Sequence, residues 1–232
     1  MEKEIEWGYS LENGPDTWIN LCDDYRQACN RYMQSPIALA KDKVTNQLEK
    51  DTLTIEYLCD EFQIQWSKHT FHFIPKSNKN KVYFDRKCFY LDDIHFHIPS
   101  EHTLDGQVHP IEFHFVHHSE ADEPLVIAVL FKKIVGNEEL LQIEESCTTI
   151  NWDLRKKNLK LNPSVFISKP VEYYAYYGSY TTPPCVGNVQ WIVVSKASSL
   201  FSKTILKLVK EKDWASNNRP IQPQEQKKIW HT

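Results

Sequence analysis

Two tripeptides, His95-Phe96-His97 and Glu112-Phe113-His114, constrain this chain more than any other feature. Side chains on a strand alternate faces, so His95 and His97 project from one side, and Glu112 and His114 do the same on a second strand. If the segments from about Tyr90 to Ile98 and Ile111 to His117 pair as antiparallel neighbours across the Pro99 to Pro110 connection, three ring nitrogens can converge on one point. Three histidines leave a fourth position open. That is the arrangement of a catalytic zinc, with water in the open position, whereas structural zinc is closed by four protein ligands, usually with cysteine. Phe96, Ile98, Phe113 and Phe115 mark both segments as strands of a core, where a lone histidine is ordinarily a hydrogen-bonded core residue. Three histidines with a same-face glutamate point instead to a metal.

The 232 residues are 41% hydrophobic and 25% charged, enough for a sizeable core. No Gly/Ser linker, repeat or low-complexity tract divides residues 1–232, so one domain is expected. The formal net charge is −4, and Lys and Arg are scattered without a basic stripe, which leaves no footprint for nucleic acid. No apolar run approaches 18 residues and the first ten resemble no signal peptide. A soluble chain with no membrane segment is expected, consistent with a mature form without its leader.

Trp7-Gly8-Tyr9 and Asn13-Gly14-Pro15 open the chain with aromatics and turn formers in neither periodicity, predicting an irregular arm over about residues 1–36. Strands are predicted over Leu53 to Tyr57, Phe62 to Trp66, Thr70 to Pro75, Val82 to Phe84, Cys88 to His97, Ile111 to His117 and Leu125 to Lys132. Several alternate apolar with polar. The expected fold is mainly β: a large, twisted, mostly antiparallel sheet with short peripheral helices. One helix is predicted after an Asn137 cap, with Leu140, Ile143, Cys147 and Ile150 on one face, and another from a Ser198 or Ser199 cap to near Lys212. The run Tyr173-Tyr174-Ala175-Tyr176-Tyr177 reads as aromatic packing on a sheet, followed by a turn.

Taken in order, Trp7-Gly8-Tyr9, Gln34-Ser35-Pro36, His95-Phe96-His97, Ser100-Glu101-His102-Thr103, Glu112-Phe113-His114, Gly178-Ser179, Thr181-Thr182-Pro183-Pro184, Trp191 and Asn217-Asn218-Arg219-Pro220 resemble the alpha-class carbonic anhydrases over nearly the whole chain. The resemblance implies Zn2+ on His95, His97 and His114, with Glu112 accepting the far N–H of His114 and so fixing its tautomer. It implies that the Thr181 hydroxyl accepts a hydrogen bond from zinc-bound hydroxide and donates its own proton to Glu101. His69 falls at the family's proton shuttle, and Tyr9 would order the intervening water. Val116, Ile127, Tyr180, Thr182 and Trp191 fall at the substrate pocket. The implied activity is reversible hydration of carbon dioxide to bicarbonate and a proton, open to sulfonamide and anion inhibitors. Incidental hydrolysis of activated esters would fit the same nucleophile.

Cys29 and Cys185 match the disulfide of secreted members, which favours an oxidising, extracellular compartment. Cys22, Cys59, Cys88 and Cys147 have no such match, and their pairing is open. Three positions depart from the family: Asp93 stands for an amide, Tyr180 for leucine and Ile127 for valine. The alternative function is a binding or assembly module with an obstructed pocket, since fold alone does not guarantee activity. Oligomer formation is left open.

Overall fold

The computed structural model describes residues 5–29, 32–49, 52–135, 158–201 and 216–232. Its main sheet sets Asn158–Leu161, Asp60–Trp66, Phe71–Pro75, Lys87–His97, Ile111–His118, Pro124–Val135, Gly187–Val194, Tyr173–Ser179, Trp230–His231 and Asn46–Gln47 side by side in that order. Leu53–Glu56 and Lys81–Phe84 form a side branch on Lys87–His97. Most neighbours are antiparallel. Pro124–Val135 is the main exception, running parallel to both Gly187–Val194 and Ser198–Phe201. All seven predicted strands are present. Among the described residues, helix is limited to Trp18–Leu21 and short 3-10 turns at Asp23–Cys29, Lys41–Lys43 and Pro163–Phe166.

Both faces of the sheet are covered. Behind it, Phe62, Phe71, Phe73, Ile94, Phe96, Phe113, Phe115 and Ile127 form the larger core. In front, Ile37, Val116, Val126, Ala128, Tyr174, Tyr176 and Trp191 form a second one, and the paired histidines share this face. Each fully buried phenylalanine contributes roughly 1.5–3 kcal/mol, so the rear core fixes the strands that carry the site. The tyrosine run is the strand Tyr173–Ser179, whose residues divide between the two cores: Tyr173 and Ala175 behind, Tyr174 and Tyr176 in front. The described part of the N-terminal arm is anchored by Trp18, fully buried, whose indole N–H is shared between the carbonyls of Gly8 and Asn13, each at 3.0 Å.

Two expectations change. The segment from Ser198 starts as a strand, Ser198–Phe201, pairing with the far end of Pro124–Val135, so sheet pairing overrides the helix-cap signal there. The remainder of that helix, and the one after Asn137, lie outside the described residues. Cys185 is a free thiol, 0% exposed, held in a turn at φ 57 whose backbone N–H donates to the Thr182 carbonyl, so it does not form the expected bridge to Cys29. The side chain of Cys29 itself is not among those described. Cys59, by contrast, is disulfide-bonded.

Candidate active site

Register builds the metal-binding group. In the pairing of Lys87–His97 with Ile111–His118, His95 lies opposite His114 and His97 opposite Glu112. His95 Nδ1 donates to Asp93 Oδ2 at 2.6 Å, His97 Nδ1 donates to the Asn217 carbonyl at 2.7 Å, and His114 Nε2 donates to Glu112 Oε1 at 2.8 Å. Each imidazole therefore has one nitrogen tied to an acceptor, which fixes its tautomer and leaves the other lone pair free. The potential ligand atoms of the three rings all lie within 4.8 Å of one another. His97 Nε2 is buried with no hydrogen-bond partner, which is costly unless an electrophile is bound there. Burial pushes the His114 pKa down to about 4 and that of His97 well below its ordinary value, so both rings are neutral at pH 7, as metal ligation requires. The donor set fits a divalent metal ion.

The acceptors are themselves braced. Glu112, 0% exposed, takes four donors: His114 and His102 Nδ1 on Oε1, and the backbone N–H groups of Glu101 and His102 on Oε2. Burial pushes its pKa up, but His102 and His114 outweigh that and hold it well below the usual range. The Tyr176 hydroxyl bridges His102 Nε2 at 2.7 Å and Ser35 Oγ at 2.9 Å, which ties the site to the end of the arm. Asn217 supplies more than its carbonyl, since its amide also pins the backbone at Ile98, Phe96 and His69. His102, Asn217 and Arg219 received no role from sequence reasoning. All three lie within the quoted motifs, and that was the signal available.

Glu101 is buried behind the histidines. Its Oε1 accepts from the Arg219 backbone N–H at 2.8 Å, while Oε2 has no partner within hydrogen-bond geometry. Burial, reinforced by the charge of Glu112, pushes its pKa up to about 8, and the Arg219 N–H and the Thr181 hydroxyl partly oppose this. Arg219 in turn donates to Gln34 Oε1 and the Ser35 carbonyl.

A cavity of about 380 Å3 opens over the three histidines, and Tyr9, His69, Val116, Tyr180, Thr181, Thr182 and Trp191 all line it. His69 packs its ring against Trp7 and Tyr9, with centroids 4.4 and 5.4 Å away, and its Nε2 lies 3.1 Å from the Trp7 carbonyl. Burial lowers its pKa, with the Trp7 carbonyl opposing. One expected pocket residue is misplaced. Ile127 is fully buried in the rear core, and Val126, opposite Val116, faces the cavity. A one-residue shift along a strand exchanges faces, so the apparent replacement of valine by isoleucine disappears. Asp93 does occupy the expected face. Its Oδ2 accepts from both His95 and His72; burial pushes its pKa up, but the two imidazoles more than offset this and hold it well below the usual range.

A mostly antiparallel sheet carrying a three-histidine group with an open side defines a class of metal-site proteins, and comparison identifies which one. The family model for eukaryotic-type carbonic anhydrase matches residues 13–232, and the chain belongs to that family. It is 30% identical to a carbonic anhydrase of Neisseria gonorrhoeae over 217 residues, covering 94% of this chain and 84% of that protein. It is 28% identical to dioscorin DB3L of Dioscorea polystachya, covering 96% and 84%. Among solved structures, the Thermovibrio ammonificans alpha-carbonic anhydrase in complex with sulfanilamide superposes with a TM-score of 0.82 at 29% identity, covering 98% of this chain and all of that one. Dioscorin complexed with ascorbate gives 0.81 at 26%, covering 97% of each.

Proposed function

We propose that this protein is a zinc-dependent carbonate dehydratase, interconverting carbon dioxide and bicarbonate. The observation that carries the reading is the set of three tautomer-fixed imidazoles converging on one point beneath the cavity. His95, His97 and His114 hold Zn2+, which in carbonic anhydrases acts as a Lewis acid and lowers the pKa of a coordinated water from about 15.7 to near 7. Thr181, beside the buried Glu101, orients the nucleophile through its hydroxyl. Val116, Val126, Trp191 and Thr182 form the wall against which carbon dioxide sits, and His69, with Tyr9, carries the product proton outward. Residues 1–232 act as one domain. The family assignment supports sulfonamide and anion inhibitors, and the Cys59 disulfide supports an oxidising, extracellular setting.

A second reading is a small-molecule binding protein with weak or no hydration activity, favoured by the likeness to dioscorin, whose structure holds ascorbate. Metal analysis followed by stopped-flow carbon dioxide hydration, with and without a sulfonamide, separates the two. One zinc per chain with sulfonamide-sensitive hydration is expected. A zinc-loaded protein that fails to accelerate hydration would leave only the binding reading.

A further inference from the structure

Tyr180 and His118 line two cavities at once: the site cavity, and an outer cleft of about 630 Å3 bordered also by Phe84, Asp122, Glu123 and Val186. A hydrogen-bonded array joins the two. Tyr180 Oη lies 2.9 Å from His118 Nε2, and His118 Nδ1 meets Asp92 Oδ2 at 2.5 Å. The outer end is wet, with the side chains of His118 and Asp92 30% and 52% exposed. An ionised carboxylate only accepts, so His118 carries its proton on Nδ1, Nε2 is an acceptor, and the Tyr180 hydroxyl donates. The array is therefore polarised from the cavity toward solvent. Burial pushes the Tyr180 pKa up to about 12, which keeps the phenol protonated as a donor.

A break in strand register builds this arrangement. The pairing of Lys87–His97 with Ile111–His118 shifts between Leu91 and Asp93, leaving Asp92 without an opposite residue. Such a bulge re-aims side chains, and here consecutive carboxylates serve the same side of the sheet, Asp93 bonding His95 and Asp92 bonding His118. Other charged groups near His118 are few. Pro124 lies opposite it on the neighbouring strand, Asp122 and the Lys87–Glu123 ion pair occupy the adjoining turn region, and His117 beside it is buried and neutral.

We propose that Tyr180, His118 and Asp92 form a second proton exit from the cavity, independent of His69. This rests on the hydration reading. A proton passing from cavity water to Tyr180 Oη is balanced by transfer of the phenol proton to His118 Nε2. The imidazolium, paired with Asp92, then releases its Nδ1 proton through that carboxylate to solvent. The ring, now protonated on Nε2, returns to its first tautomer by exchange with water in the outer cleft, with no net change in the protein.

The test uses the zinc-loaded enzyme in the His69→Ala background, adding either His118→Ala or His118→Gln. A glutamine amide oxygen still accepts from Tyr180 but cannot carry a proton. Under low buffer, both double variants should lose at least about tenfold in kcat, toward the 10²–10⁴-fold effect of a lost proton-transfer group, with kcat/KM within about twofold and partial rescue by added imidazole. Retention of kcat by the glutamine variant alone would reduce His118 to a structural partner of Tyr180. Unchanged kcat in both variants, or a parallel fall in kcat/KM, overturns the exit. Absence of hydration in the zinc-loaded unmutated protein defeats the hydration reading itself, and the exit with it.

Discussion

What each imidazole can do is decided by the atom on its far side. Glu112 accepts four hydrogen bonds, two from rings on Oε1 and two from backbone on Oε2, so a neutral amide there could accept on one atom only and would turn donors either against both His102 and His114 or against the backbone N–H groups of Glu101 and His102. Glu112→Gln should weaken zinc affinity by about 10 to 100-fold, measured by competition with a chelator. An unchanged affinity would show that His114 is oriented without it. Asp93 acts on the metal by charge. Ionised and bonded to His95 Nδ1, it makes that ring a stronger electron donor and the bound metal less acidic. Asp93→Gln should therefore move the midpoint of the pH–rate profile to lower pH, and a midpoint that stays in place would remove the assigned influence. These acceptors were only partly legible in the sequence. Glu112 and Asp93 sit two residues from a ligand on the same strand, where alternation reveals them. The acceptor for His97 is the Asn217 carbonyl, 120 residues downstream, and a backbone oxygen leaves no compositional trace.

At the scale of elements, alternation marks the strands with one wet face, whereas Ile111–His118 and Leu125 to Phe131 were legible although buried on both faces, the second only as a short apolar run. Asp60–Trp66 alternates buried and exposed residues, and its sequence reads as a strand at sight. Gly187–Val194 and Tyr173–Ser179 are mostly buried on both faces, so their sequences lack the alternation that marks a strand; the tyrosine run still reads as packing on a sheet, but nothing local singles out Gly187–Val194. The misplaced Ile127 has the same origin. In Leu125 to Phe131 every residue is buried and apolar, so nothing local says which of Val126 and Ile127 faces the cavity; pairing with Val116 decides it. The contact between sheet and arm leaves no such freedom at Gly178. A Cβ there would lie 2.0 Å from Ser35 Oγ and 2.8 Å from Tyr176 Cε2, and Ser35 Oγ already bonds the Tyr176 hydroxyl and the Ser179 N–H. Gly178→Ala should destabilise the fold by about 1–3 kcal/mol in chemical denaturation, the range for overpacking a filled interior. It should also weaken zinc binding through the Tyr176–His102–Glu112 chain. A variant with unchanged stability and zinc affinity would mean that the arm yields without cost.

Over the whole molecule, burying so many imidazoles makes folding a function of pH, and the sign follows from the direction of each shift. His97, His114 and His117 are all held neutral by burial, His114 down to about 4 and His117 to about 3, against an ordinary value of 6.5. Between pH 6.5 and roughly 4 the unfolded chain binds protons at these positions that the folded chain refuses, so stability falls with the pH. Glu101 works the other way. Pushed up to about 8 from 4.5, it holds a proton in the folded state that the unfolded chain lacks, and stability from this group grows as pH falls through that interval. Three sites against one leave the histidines dominant below pH 6.5, while above it Glu101 mildly favours the lower pH, opposed near pH 8 by Lys227, whose pKa burial pushes down to about 8 from 10.5. Denaturant midpoints of the metal-free protein should thus change little, or rise slightly, from pH 8 to about 6.5, then drop steadily toward pH 4.5. His117 lies outside the metal site, bonded to Tyr57 behind the sheet, so zinc should move the drop to lower pH without abolishing it. A midpoint that is flat from pH 7 to 4.5 in metal-free protein would show that the buried imidazoles gain protons without unfolding the sheet around them.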